Sequence, residues 1–221
     1  MKTSIAVRDL QEAMEFHRDP EKAKQMARYM KNRFAFLGIQ QPLRKELSKP
    51  FIQTAKKLDM PVIIRQAGEL WQLPEREYQY VAMELLFAGS KQWNPAAREF
   101  FLQLVTDKSW WDTVDFIAAR LVGGWFREKN DREILLSWIR SDNIWQNRTA
   151  LLFQLFYKEK TDSEFLFRAI DELKGKKEFF IQKAIGWSLR QYHRSAPEKV
   201  EAFVEASGIS GLAKREALKH V

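Results

Sequence analysis

The chain has 221 residues, 45% of them hydrophobic and 30% charged, which fits a folded protein with a substantial core and excludes a disordered one. It has no cysteine, which excludes disulfides, thiolate nucleophiles and zinc–thiolate sites; His17, His193 and His220 lie too far apart for helical ligand spacing, so no metal and no cofactor is expected. Lys and Arg number 37 against 29 Asp and Glu, a formal net charge of +8, and from Lys174 to His220 ten Lys and Arg face five Glu and no Asp, an imbalance that suits a polyanion such as nucleic acid.

The N-terminal MKTSIAVRDLQEAMEF lacks the long apolar core of a signal peptide and reads as an amphipathic helix. No apolar run approaches the roughly 20 residues that cross a bilayer, so a cytoplasmic location without membrane contact is expected. Alternating β-branched runs and Asn-Gly turns are absent, and helix formers dominate. Pro20, Pro42, Pro50, Pro74, Pro95 and Pro197 are expected at helix starts or between helices.

Apolar-rich helices are expected to open near Gln41, Arg76, Asp112, Gln146 and Ile181, with separations of 35, 36, 34 and 35 residues, and one more step lands on Glu216. Each interval has room for a second helix, such as Ala96–Thr106 or Arg132–Ile139. A steady period of helix pairs marks an α-solenoid. Residues near equivalent positions, Gln40 and Gln41, Trp111 and Asp115, Asn147 and Arg148, Lys183 and Trp187, are expected on a concave inner face.

In Lys108–Asp115 (KSWWDTVD), Ser109 reads as an N-cap, and Val114, Ile117, Ala118 and Leu121 fall on one arc with Trp110 on the same side. Trp111 and Asp115, one turn apart, sit on its flank. Two readings stay open there: packing beside a solvated first-turn acid, or an aromatic plate and a carboxylate that together hold a cation. In the next unit Asn143 reads as an N-cap for Gln146–Tyr157, where TALLFQLFY is apolar nearly all round. Arg148 in its first turn is disfavoured by the helix dipole, and a bound phosphate would explain it. In Ile181–Tyr192, residues Ile181, Ala184, Ile185, Ser188, Leu189 and Tyr192 form a packing arc. Lys183, Trp187 and Arg190 lie opposite, and Arg194 continues their line. That combination serves cation–π packing or nucleic-acid contact.

At these residues the chain resembles the AlkD-type DNA alkylation repair family, glycosylases built from HEAT-like repeats. The resemblance is carried by MARYMKNRFAFLGIQQP at 26–42, LWQLPEREYQ at 70–79, KSWWDTVD at 108–115, SDNIWQNRTALLFQL at 141–155 and KEFFIQKAIGWSLRQY at 177–192. It implies one all-α HEAT-like repeat domain over 1–221, about six helix pairs around a concave basic groove, acting as a monomer on duplex DNA. The implied activity is excision of cationic alkylated purines, chiefly 3-methyladenine and 7-methylguanine, without base flipping. By motif position Trp111, Asp115 and Trp187 match the family's catalytic cleft and Arg148 a phosphate-binding arginine. Tyr29, Gln40 and Arg190 match duplex contacts, and Lys183 and Arg194 share the face of Arg190. Phe156 stands where a relative has a lysine, and Gln41 replaces a threonine. A cationic purine needs no protonation to leave, so one carboxylate suffices in principle. Two other readings remain: a DNA-binding relative without chemistry, and a repeat scaffold for proteins or peptides.

Overall fold

A computed structural model of the chain describes residues 7–127, 129 and 132–219; residues 1–6 of the expected N-terminal helix and His220 lie outside them. The regular structure of the described residues is all helical, with a single isolated bridge, Ala35 to Glu75, and no strand. The all-α expectation is met.

The helices are α1 (Val7–Phe16), α2 (Pro20–Tyr29), α3 (Gln41–Ala55), α4 (Met60–Gln72), α5 (Arg76–Ala88), α6 (Pro95–Leu104), α7 (Trp111–Phe116), α8 (Gly123–Phe126), α9 (Glu133–Ile139), α10 (Ile144–Leu152), α11 (Ser163–Leu173), α12 (Phe179–His193), α13 (Pro197–Ala206) and α14 (Gly211–Ala217). Between α7 and α8 the chain runs on as a π-helical turn, Ile117–Val122. The helices fall into two compact units, residues 1–97 and 98–221.

In the first unit α4 packs on α5, α5 on α3, and α1 on α3 and α4. In the second, α9 pairs with α10 and α13 with α12. The later helices of successive pairs stack directly, α7 on α10, α10 on α12 and α12 on α14, while α9 meets α11. Pairs stacked this way are the packing of an α-solenoid. The helices α3, α5, α7, α10, α12 and α14 open at residues 41, 76, 111, 144, 179 and 211, so the repeat of about 35 residues is visible in the fold.

One device recurs in these helices. The fourth residue of α5, α10 and α12 is an amide, and each donates to carbonyls at the C-terminal end of the preceding helix. Gln79 donates to the Trp71 and Leu73 carbonyls at 3.1 and 2.7 Å. Asn147 donates to those of Trp138, Ile139 and Ser141 at 2.7, 3.2 and 2.9 Å. Gln182 donates to those of Lys174 and Lys176 at 3.2 and 2.6 Å. A helix leaves its last carbonyls without intrahelical partners, and the amides supply them. Asn147, expected on the inner face, is therefore buried structure. In α7 the same position is Val114, and the fifth is Asp115.

Two local expectations are corrected. Trp110, extended at φ −156°, is the N-cap of α7, while the Ser109 hydroxyl turns back to donate to the Val105 carbonyl at 2.7 Å. Pro50 lies inside α3 rather than at its edge; it has no N–H for the Glu46 carbonyl, and both residues are exposed where water meets the loss.

Candidate nucleic-acid interface and catalytic site

Trp110 is buried, and Val114, Ile117, Ala118 and Leu121 are wholly so, which turns the other side of α7 outward. On that side Trp111 and Asp115, one turn apart, are both half-buried. The π turn begins two residues after Asp115; such wide turns break the regular spacing of a helix and recur at functional sites.

Arg148, the fifth residue of α10, meets Asp115 with the two-point geometry that a guanidinium fork makes with a carboxylate. Its Nε donates to Asp115 Oδ1 at 2.6 Å and its Nη2 to Oδ2 at 2.9 Å, while Nη1 donates to the Phe180 carbonyl in the first turn of α12. The arginine side chain is 5% exposed and the aspartate 17%. Asp115 and Arg148 thus join α7 to α10, and Phe180 ties both to α12. Because α10 begins at Ile144, two residues earlier than expected, Arg148 falls beyond its first turn, and the carboxylate partners it there; no bound phosphate is required to explain it.

The Phe180 ring lies 5.9 Å from the Arg148 guanidinium and belongs to an aromatic cluster. Trp110 lies 5.6 Å from Trp145 and 5.0 Å from Phe180, and Trp145 lies 5.2 Å from Phe180, centroid to centroid. Burial pushes the Asp115 carboxyl above the ordinary carboxylate range, the hydrogen bonds and charge of Arg148 pull it back, and nearby Asp112 adds to the push.

Trp187 lies seven residues beyond Phe180 on α12, roughly 10 Å along the axis. It is half-buried, while Ile181, Ala184, Ile185, Ser188, Leu189 and Tyr192 are buried as the arc requires. The cations flanking Trp187 are not free. Lys183 Nζ lies 2.9 Å from Glu216 Oε1, and Arg190 Nη1 lies 3.1 Å from Oε2 and donates also to the Glu216 carbonyl. Lys183, first, and Arg190 hold the Glu216 carboxyl below its usual range. Glu216 reaches both because α12 and α14 meet at Gly186, where an added Cβ would stand 2.3 Å from Glu216 Cβ. Arg194, at the C-cap of α12, is exposed.

In the first unit Tyr29 ends α2 and is 72% exposed, and Gln40 and Gln41 are exposed at the start of α3. The loop before Gln40 is held by Glu77, whose buried carboxylate accepts from the backbone N–H groups of Leu37, Gly38 and Ile39 at 3.0, 2.9 and 3.1 Å. Burial raises the Glu77 carboxyl, and those hydrogen bonds oppose the rise. Phe156 is half-buried in the second unit with the Arg120 guanidinium 3.9 Å above its ring. Asp115–Arg148, Glu216 and Glu77 were not found by sequence reasoning. One signal pointed to the first: the fifth residues of α7 and α10 carry opposite charges one repeat apart. Among the described residues no group of His, Asp and Glu comes together that could hold a metal, and no helix is long and apolar enough to cross a membrane.

These features define a helical-repeat protein with a paired carboxylate and guanidinium, and an indole one helical turn from the carboxylate, on the stacked helices of its second unit. The model of the DNA alkylation repair enzyme family matches residues 10–221, and the chain belongs to that family. It is similar to a structure described as a predicted DNA alkylation repair enzyme from Enterococcus faecalis, at 36% identity and a TM-score of 0.86, over 92% of this chain and 96% of that one. No curated protein matches the chain. Membership supports a role in the repair of alkylated DNA.

Proposed function

We propose that the protein is a monofunctional DNA glycosylase that hydrolyses the N-glycosidic bond of cationic alkylated purines, 3-methyladenine and 7-methylguanine, in duplex DNA. It acts as a cytoplasmic monomer of one repeat domain, without cofactor and without flipping the base. The observation that carries this reading is the half-buried Asp115 carboxylate, gripped at two points by Arg148 and one helical turn from Trp111.

A purine alkylated at N3 or N7 leaves as a neutral base, so the site owes it no proton. What remains is positive charge developing on the deoxyribose and the delivery of a water molecule. Asp115 opposes that charge, and a carboxylate fixed at two points by Arg148 does so without reorganising. Trp111 and Trp187 offer π-faces to the same cation. Arg148 orients Asp115 and keeps it ionised. Three of its five N–H groups are taken, which leaves two for a phosphate beside the lesion. Tyr29, Gln40, Lys183, Arg190 and Arg194 complete the duplex contacts. The catalytic set holds no lysine, so no Schiff base forms and the strand is not nicked.

Release of free 7-methylguanine from methylated duplex DNA tests the reading. Wild-type protein should release it and leave an intact abasic strand. Tight binding without release would favour the non-catalytic reading, and no affinity for duplex at all would favour a protein-binding scaffold.

A further inference from the structure

Four residues other than glycine have a left-handed backbone among the described residues: Lys31 at φ 59°, Asn32 at 55°, Lys108 at 47° and Lys158 at 55°. Three of the four are lysines. The left-handed region crowds Cβ against the carbonyl oxygen; asparagine tolerates it better than most residues and glycine takes it freely. This chain uses glycine for the purpose at Gly38, Gly208 and Gly211. The turns therefore need a positive φ but do not need a lysine, and what a lysine adds is a charge on a long stem.

Lys31 follows the end of α2, where its N–H donates to the Arg28 carbonyl at 3.0 Å and the Asn32 N–H to the Ala27 carbonyl at 2.7 Å. It is exposed, two residues after Tyr29, and the stretch from Arg28 to Arg33 holds three cations and no acid. Lys158 opens a short 3-10 turn, Lys158–Lys160, and is also exposed. It follows a rigid platform: the Tyr157 hydroxyl donates to the Gly123 carbonyl at 2.7 Å, Arg127 donates to the Phe156 carbonyl at 2.7 Å, and Arg120 covers the Phe156 ring. Among the described residues neither Lys31 nor Lys158 is paired with a carboxylate, in contrast to Lys183, Arg190 and Arg148. Lys108 is half-buried with contacts of its own and is left aside.

We propose that Lys31 and Lys158 are contacts for the phosphodiester backbone of DNA, kept in strained turns for their charge. This rests on the duplex-binding reading above and adds two contact residues to it. A fixed, strained turn aims the stem of each lysine and reduces the ordering that a contact would otherwise require.

The test sets stability against affinity in Lys31→Asn, Lys158→Asn and the matching Arg variants, with undamaged duplex as the probe. Asparagine accepts the left-handed backbone without the extra chain entropy of glycine. Each Asn variant should unfold at the same temperature as the parent or higher. It should bind duplex several-fold more weakly at ~0.1 M salt and lower the slope of log affinity against log salt by about one. The Arg variants should recover the affinity. Asn variants with the parent's affinity and slope would overturn the assignment while leaving duplex binding intact. Asn variants that unfold at lower temperature, with Arg variants binding no better, would overturn it in favour of a structural role. A parent protein without salt-dependent affinity for duplex would overturn the binding reading and this inference with it.

Discussion

Asp115 is subject to two opposed demands. Burial raises its pKa, and the Arg148 fork works against the rise. In the proposed mechanism excision requires the carboxylate, so the rate should be full above that pKa and fall as pH drops through it, with the fall beginning above the ordinary aspartate value of about 3.9. Single-turnover excision of 7-methylguanine between pH 4 and 7 checks this; a flat profile would remove Asp115 from the chemistry. Arg148→Gln takes away the opposing contribution and should move the acid limb to higher pH. It also leaves a buried carboxylate without its charged partner, at a cost on the order of 3 kcal/mol that urea unfolding would read. A variant with unchanged stability and unchanged pH profile would show that the pair does neither job.

The elements that carry these residues were largely legible in the sequence. Apolar periodicity placed α5, α7, α10 and α12 within two residues of their observed starts, because a buried stripe leaves a 3.6-residue signature. The last helix, α14, begins five residues before the expected Glu216, since sequence similarity between units is too low to carry the phase to the end of the chain. What periodicity cannot show is which partner a polar residue meets. Asn147, Arg148 and Lys183 looked alike as inner-face polar groups, yet the first caps a helix, the second holds Asp115 and the third is paired with Glu216. Ser109 was misread for a related reason: its hydroxyl prefers the Val105 carbonyl behind it to the helix ahead. Two variants test the elements. Asn147→Leu removes a donor from three carbonyls around the end of α9, of which Trp138 keeps the Ser141 N–H and Ser141 keeps Lys176, and should cost roughly 1–3 kcal/mol of stability. Gly186→Ala drives a methyl group into Glu216 Cβ and the Ala213 carbonyl, and should cost about the same by overpacking. Unfolding midpoints equal to the parent's would show that those contacts do not bear on stability.

At the scale of the whole molecule, a net charge of +8 favours DNA, but its cations are not equally available. Glu216 already offsets one of the two charges of Lys183 and Arg190, so Lys183→Met should lower the salt dependence of duplex binding by less than the loss of an unpaired cation does. Arg194→Met, at an exposed site, should lower the slope by about one. Equal losses would mean that DNA displaces Glu216 from Lys183.

Membership of the family makes alkylated DNA the substrate to use, and the proposed chemistry rests on one carboxylate. The most direct measurement is therefore Asp115→Asn beside wild type, with single-turnover release of 7-methylguanine and duplex affinity taken on the same preparations. We expect release to fall by ~10²–10³, roughly 3–4 kcal/mol, with affinity nearly unchanged. Equal losses in rate and binding, or an undiminished rate, would contradict it.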